Sequence, residues 1–155
     1  MKQILLYLGL LIVFLFGVSL LMKKAPIKVP LKSIQVNGKK IAVTVANTNA
    51  SRARGLGGTK SLGDYEGMLF TFDQKNIIAP FWMKDMIIPI DIIWIKANKI
   101  VQIDANIKTP DINTPDSALN LYSTKEGIDY VLETNANWAQ KNSVKVGDGV
   151  DLSNL

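Results

Sequence analysis

An uncharged stretch of nineteen residues near the start of the chain, residues 4–22, constrains this sequence more than any other feature. As a helix rising ~1.5 Å per residue, it would cross nearly all of a ~30 Å hydrocarbon core. It is longer than the ~7–15-residue apolar region of a signal peptide, and no small-residue cleavage site separates it from Lys23 and Lys24. We therefore expect residues 1–24 to be an N-terminal membrane anchor or signal segment. The single-pass anchor is favoured, with residues 4–22 in contact with membrane lipid.

A short stalk and one globular domain are expected to follow. Residues 25–33 contain two prolines and no helical period, so they predict an extended stalk. Residues 34–155 are long enough to bury a core of their own. Of the 18 basic and 13 acidic side chains, only Lys2, Lys23 and Lys24 belong to the anchor, which leaves a net charge of +2 for the rest. We expect no nucleic-acid partner, because this remainder has no basic stripe with interleaved aromatic residues.

The chain contains no cysteine and no histidine. This excludes a thiolate nucleophile, a Ser-His-Asp triad and the usual zinc and haem ligands. The acidic loop at residues 104–116 lacks the glycine and glutamate spacing of an EF-hand, and its aspartates suit turns. We therefore expect no metal ion and no cofactor.

The apolar periodicity of the domain is mostly that of β-strands. Asn37-Gly38 joins two alternating segments, which predicts a hairpin, and Ala97-Asn98 predicts a turn between an apolar-rich segment and an alternating one. The pattern indicates a mainly β (β-rich α+β) fold, a compact small barrel- or sandwich-like domain with two short helices, preceded by one N-terminal transmembrane helix. The predicted strands are 33–36, 40–46, 67–72, 77–83, 90–96, 99–107, 129–133, 144–146 and 150–152, and the predicted helices are 50–56 and 136–141.

Three charged residues, Lys84, Asp85 and Asp91, flank a proline-containing turn between apolar segments. Asp91 lies between two isoleucines, and a buried carboxylate must be paired, hydrogen-bonded or protonated. It could act as a general base, a metal ligand or an anchor for a polar ligand. The favoured alternative is structural: an ion pair with Arg52 or Lys84, or acceptance of backbone N–H groups.

Arg52, Trp82 and Glu133 complete the set of candidate binding residues; no catalytic residue is assigned. We expect Arg52 to form a forked ion pair with Asp91 or Glu133, although it could instead bind an anion. Trp82 and Phe81 could form an aromatic platform for a flat ligand. Since neighbours on a strand face opposite sides, one of the two is expected in the core and the other partly exposed.

Five segments carry a resemblance to a known family: RARGL from Arg52, GMLFTF from Gly67, FWMKDMIIPIDI from Phe81, VLE from Val131 and VGDGV from Val146. Over residues 40–151 the chain resembles the domain of unknown function 192 family of small, uncharacterised, often exported or membrane-attached proteins. The resemblance implies a compact β-rich fold and an extracytoplasmic address for the C-terminal domain, and it implies no reaction. It also matches Arg52 to the family's arginine.

This chain departs from the family pattern at two places. Thr59 stands where the family commonly has an arginine, and Asp85-Met86 stand where it commonly has Asn-Thr. The local charge could therefore differ by up to two units from that of relatives.

Three functions remain open at this point. The favoured one is a membrane-anchored binding or accessory domain of the cell envelope, with a small polar ligand or a membrane protein as partner. The second is a structural domain without a ligand site. The third is a hydrolase of envelope glycans that uses Asp91 with Asp85 or Glu133, and the lack of strong nucleophiles argues against an enzyme.

Overall fold

A computed structural model describes residues 31–155 of the chain. The predicted membrane segment, residues 4–22, and residues 25–30 of the predicted stalk lie outside the described residues. Lys32 and Ser33, which were assigned to the stalk, instead belong to the first strand of the domain. Within residues 31–155, the structure contains no helix with the length and apolar character needed to span a bilayer.

The described part is mainly β, as predicted, with nine strands, two short helices and one 3₁₀ turn at Asp116–Ala118. The strands are β1 (Lys32–Val36), β2 (Lys39–Ala46), β3 (Glu66–Thr71), β4 (Phe81–Trp82), β5 (Ile90–Lys96), β6 (Lys99–Ile107), β7 (Leu121–Tyr122), β8 (Tyr130–Asn135) and β9 (Val150–Asp151); the helices are α1 (Asn49–Arg54) and α2 (Trp138–Lys141).

Seven strands form one sheet in the order β6-β5-β8-β3-β2-β1-β9, while β4 and β7 pair separately. All neighbouring strands are antiparallel except β2 and β3, whose parallel pairing requires a crossover connection, and α1 lies on it. The predicted hairpin turn at Asn37-Gly38 and the predicted turn at Ala97-Asn98 are both present as two-residue hairpin loops, and all four of their residues have positive φ angles, as type I′ loops require.

The sheet curls into a half-barrel, because its two edges approach each other at one end. Residues at the start of β9 and just before it bond to the start of β6 and the turn that precedes it. The Ile100 N–H donates to the Asp148 carbonyl over 3.0 Å, and the Val150 N–H donates to the Asn98 carbonyl over 2.8 Å. Of the predicted alternatives, the barrel-like one therefore describes the sheet better than the sandwich-like one.

Two apolar clusters lie on opposite faces of the sheet. Ile93 and Ile95 of β5 belong to the cluster that also contains Trp138 of α2 and residues from both edges. Ile92 and Trp94 belong to the second cluster, onto which Phe81 of β4 packs. β5 is therefore buried on both faces, which explains its nearly unbroken apolar sequence.

Two predicted strands are wrong in extent. Within the segment 77–83 only Phe81–Trp82 form a strand, and Ile77 makes an isolated bridge with Ile128, because Pro80 between them has no N–H to donate to a continuous ladder. The segment 144–146 is not a strand; it leads into a turn whose Gly147 N–H donates to the Ile100 carbonyl over 2.8 Å.

Candidate functional site

The candidate site is a cavity of about 250 Å³ between α1, the end of β3, β4 and the turn that follows β4. Four of the six residues that the sequence singled out line it: Arg52, Trp82, Lys84 and Glu133. These residues come from distant parts of the chain, and the crossover through α1 brings the first of them over the sheet.

Glu133 is the one buried acidic residue of the cavity. It lies on the central strand β8, where its neighbours across the sheet are Met68 of β3 and Ile92 of β5. The residue is 4% exposed, and its Oε2 atom has no hydrogen-bond partner among the described residues. Burial alone raises the pKa of Glu133 from 4.5 to about 8, so the carboxyl is protonated at neutral pH.

Two glycines allow the backbone to approach Glu133 closely. At Gly67 of β3, a Cβ would lie 2.5 Å from the Glu133 carbonyl oxygen, so only glycine fits there. Gly55 ends α1 with a φ of +51°, and a Cβ on it would lie 3.9 Å from Glu133 Oε2 and 3.5 Å from the Phe70 ring. Gly55 therefore leaves open the space directly over the carboxyl group.

Aromatic rings form the apolar wall of the cavity. Phe70 and Phe81 meet edge to face with their centroids 4.8 Å apart, and Phe81 meets Trp94 in the same way at 5.4 Å. Trp82, next along β4, is 42% exposed, and its ring centroid lies 5.5 Å from Lys84 Nζ. Of the two candidate aromatic residues, Phe81 thus packs on the core and Trp82 faces outward at the mouth, as strand alternation predicts.

The expected ion pair between Arg52 and Asp91 or Glu133 is not present, and this prediction was wrong. Arg52 extends over the end of β3, where its guanidinium donates to the Thr71 carbonyl over 2.7 Å and to Asn49 Oδ1 over 2.7 Å. The carboxylate nearest to it is the exposed Asp73, at 3.7 Å. The guanidinium is satisfied at the helix end, so it leaves Glu133 without a charged partner.

Lys84 and Asp85 lie in the turn after β4. Lys84 donates a hydrogen bond to Asp116, and the bond and charge of Asp116 raise the pKa of Lys84, so the ammonium stays charged. Asp85 has a positive φ of 57°, and its carbonyl accepts the Gly58 N–H over 2.9 Å. Its side chain is exposed and lies outside the cavity above Glu133, in a neighbouring surface depression that it shares with Asp116.

Asp91 is fully buried and lies apart from this cavity. Its Oδ1 accepts the backbone N–H groups of Asn106 and Asn137, each over 2.8 Å, and its Oδ2 accepts the Ala139 N–H over 2.9 Å. The carboxylate thus joins the end of β6 to the start of α2. The contacts match the backbone-bonded alternative, and neither Arg52 nor Lys84 pairs with it.

The chemistry available in the cavity follows from its charges. Arg52, Arg54 and Lys84 line it together with one acid, Glu133. A neutral Glu133 can donate a hydrogen bond to a ligand, and an ionised Glu133 can pair with a ligand cation. Within residues 31–155, the structure has no group of three metal-ligating side chains. Sequence reasoning overlooked Gly55 and Phe70, although both belong to the RARGL and GMLFTF segments that carried the family resemblance.

The DUF192 family, described as Uncharacterized ACR, matches residues 32–152 of the chain. No curated protein matches the sequence significantly.

Two solved structures are similar to the described fold. A protein from Sinorhizobium meliloti, described as a proposed transcription regulator, has a TM-score of 0.72 and 23% identity, over 84% of this chain and 100% of that one. A protein of unknown function from Novosphingobium aromaticivorans has a TM-score of 0.67 and 28% identity, over 82% of this chain and 89% of that one. These likenesses support the fold, and the regulatory description concerns the first protein alone.

Proposed function

This chain belongs to the DUF192 family, and within that family's fold we propose that it is a membrane-anchored binding domain of the cell envelope whose ligand site is the cavity above Glu133. The observation that carries the proposal is a carboxyl group, 4% exposed, whose Oε2 has no partner among the described residues. Burying an unpaired polar group costs free energy, and a bound ligand would offset that cost.

The structural alternative accounts poorly for Glu133. A well-packed apolar residue on β8 would stabilise the sheet better than an unpaired acid, because it carries no desolvation penalty. Polar groups that lower stability in this way are a feature of functional sites. The unpaired carboxyl therefore favours a binding role over a purely structural one.

The hydrolase alternative requires two carboxylates about 5–9 Å apart across a cleft. Glu133 is the one acid that lines the cavity, Asp91 bonds to backbone groups elsewhere, and the Asp85 side chain lies outside the cavity. These positions favour binding over glycoside hydrolysis.

The proposed subcellular location and membrane orientation rest on the sequence. The uncharged residues 4–22 support a single-pass anchor, and the family resemblance supports an extracytoplasmic domain. A tether to the bilayer would raise the effective concentration of the domain for partners in the same membrane. We expect protease added to intact spheroplasts to digest the domain; protection until the membrane is lysed would contradict the proposed orientation.

The cavity is tested by ligand-induced thermal stabilisation of the full chain in detergent. The probes are organic amines, amino acids, organic acids, phosphates and cell-wall sugars. A ligand that binds only the folded state at 100 times its Kd adds ~2.7 kcal/mol, or several degrees in Tm. We expect at least one class to raise the Tm, and Gly55→Ala to reduce that shift because the new methyl group narrows the space above Glu133.

Gly58→Ala is the matched control for this variant. Gly58 also has a positive φ, of +72°, but a Cβ there meets nothing within 4 Å. Both variants carry the backbone strain of alanine at positive φ, and only Gly55→Ala intrudes on the cavity. An equal shift in wild type and both variants would place the ligand elsewhere, and no shift with any probe would favour the structural alternative.

A further inference from the structure

The cavity above Glu133 has a carboxyl group at its floor and basic groups at its mouth. Its floor holds one acid, Glu133, and its other charged lining residues, Arg52, Arg54 and Lys84, are all basic. Gly55, whose Cβ position lies 3.9 Å from Glu133 Oε2, directly follows Arg54 in the chain. The carboxyl and Arg54 therefore belong to adjacent parts of one cavity lining.

The three basic side chains differ in what they already bind. Arg52 donates to Thr71 and Asn49, and Lys84 donates to Asp116. The ion pairs among residues 31–155 involve Arg52, Lys84 and Lys96 but not Arg54, which is exposed. Arg54 is thus the cation of the mouth best able to accept a ligand anion.

The size and walls of the cavity suit a compact ligand with an apolar body. Its volume of about 250 Å³ exceeds the ~150 Å³ of an apolar protein cavity that binds benzene. Phe70 and Phe81, with centroids 4.8 Å apart, offer aromatic surface beside the carboxyl. Aromatic rings also attract cations within about 6 Å of their centroids.

Neither a simple cation nor a simple anion satisfies both ends. A ligand with only an ammonium group would be repelled by the basic residues at the mouth. A ligand with only a carboxylate would leave Glu133 without a charged partner. Building on the proposed role of this cavity as a ligand site, we propose that it binds a small amino-acid-like zwitterion. The ammonium pairs with Glu133, the carboxylate lies beside Arg54, and the apolar side chain packs on Phe70 and Phe81.

Proton release is the signature of this pairing. Glu133 carries a proton below pH 8, and the ammonium binds the ionised carboxylate, so the carboxyl proton leaves to solvent on binding. The facing groups on β3 and β5 are Met68 and Ile92, which do not titrate. The charged residues of α1 and of the turn after β4 that line the cavity are the three basic ones, while Asp85 of that turn lies outside it. We therefore expect affinity to rise nearly tenfold per pH unit from pH 6 toward pH 8.

The test is calorimetric titration of the full chain in detergent with three matched probes: leucine, isopentylamine, which lacks the carboxylate, and 4-methylvalerate, which lacks the amine. Leucine is expected to bind at least tenfold more tightly than either analogue. Phenylalanine with phenethylamine and 3-phenylpropionate repeats the comparison for a larger side chain.

Variants separate the two ends of the ligand. Glu133→Gln should lower the affinity for leucine and for isopentylamine at least tenfold, and it should remove the pH dependence of that affinity. Arg54→Ala should lower the affinity for leucine about tenfold. It should not lower the affinity for isopentylamine, since that probe has no carboxylate. Lys60→Ala, an exposed basic residue outside the cavity lining, is the control and should change neither affinity.

Three results would overturn the zwitterion proposal while leaving the cavity as a ligand site. The first is 4-methylvalerate binding as tightly as leucine, and the second is an affinity that falls between pH 6 and pH 8, since in either case a neutral Glu133 would be donating to the ligand. The third is failure of both amino-acid sets to bind while another probe class gives a thermal shift that is sensitive to Gly55→Ala. If no probe of any class binds, both this inference and the proposed function fail.

Discussion

Replacing Asp91 by alanine is expected to destabilise the domain by about 3–5 kcal/mol. The substitution leaves three backbone N–H groups, those of Asn106, Asn137 and Ala139, without their buried acceptor. Each buried donor left unpaired costs about 1–3 kcal/mol, and domains of this size have only about 5–15 kcal/mol of stability. Urea unfolding of wild type and variant, followed by tryptophan fluorescence, measures the difference.

Two further variants control for this result. Asp91→Asn keeps one oxygen for Asn106 and Asn137 and loses the acceptor of Ala139, so its cost should be about half as large. Asp73→Ala removes a carboxylate from a side chain that is 91% exposed, and we expect a change within about 0.5 kcal/mol. An Asp91→Ala domain as stable as the Asp73→Ala domain would show that the backbone contacts of Asp91 contribute little.

Stability is expected to fall as the pH rises from 4.5 to 8, because Glu133 ionises readily only in the unfolded chain. Its pKa is about 8 in the folded domain against an ordinary value of 4.5, so the folded state holds one more proton across this interval. Each pH unit then costs about 1.4 kcal/mol. The contribution of Glu133 is unperturbed below pH 4.5 and has fallen by roughly 4–5 kcal/mol at pH 8 and above.

Glu133→Gln isolates this effect, since it keeps the shape of the side chain and cannot ionise. We expect the unfolding free energies of the two proteins to differ by a constant amount below pH 4.5. As the pH rises from 4.5 to 8, the unfolding free energy of the variant should increase relative to that of wild type. Above pH 8 the difference should level off. A difference that stays constant from pH 4 to pH 9 would mean that Glu133 has an ordinary pKa and is solvated.

Much of the fold could be predicted from local patterns. The hairpin turn at Asn37-Gly38 was predicted from residue types that tolerate positive φ, and the turn at Ala97-Asn98 from the change of pattern around it, although Ala97 adopts a positive φ of 46° that its residue type does not favour. The two helices were predicted within a few residues of α1 and α2, and Thr48 and Ser51 form a capping box at the start of α1. The segment 77–83 misled because its apolar residues pack on the sheet without forming a ladder, which composition cannot distinguish.

The candidate site was predictable only as a set of residues. Arg52, Trp82, Lys84 and Glu133 were chosen for their charge or ring and do line one cavity, but the expected contacts among them were wrong. Arg52 donates to the Thr71 carbonyl and not to either expected carboxylate, and Asp91 accepts hydrogen bonds from three backbone N–H groups. A side chain bonds to whatever group the crossover and the strand order bring within about 3 Å, and spacing along the chain does not report that distance.

Residue chemistry and short-range periodicity were enough to establish a mainly β domain without thiol or imidazole chemistry, since both depend on neighbouring residues alone. The strand order, the curl of the sheet and the lack of a partner for Glu133 Oε2 among the described residues all depend on which residues far apart in the chain come into contact. Asp91 and Glu133 look alike in sequence, each an acid within an apolar run. Asp91 accepts hydrogen bonds from three N–H groups at the start of α2 and the end of β6, whereas Glu133 Oε2 accepts none within residues 31–155. Because of that difference, Glu133 is the candidate for binding a ligand.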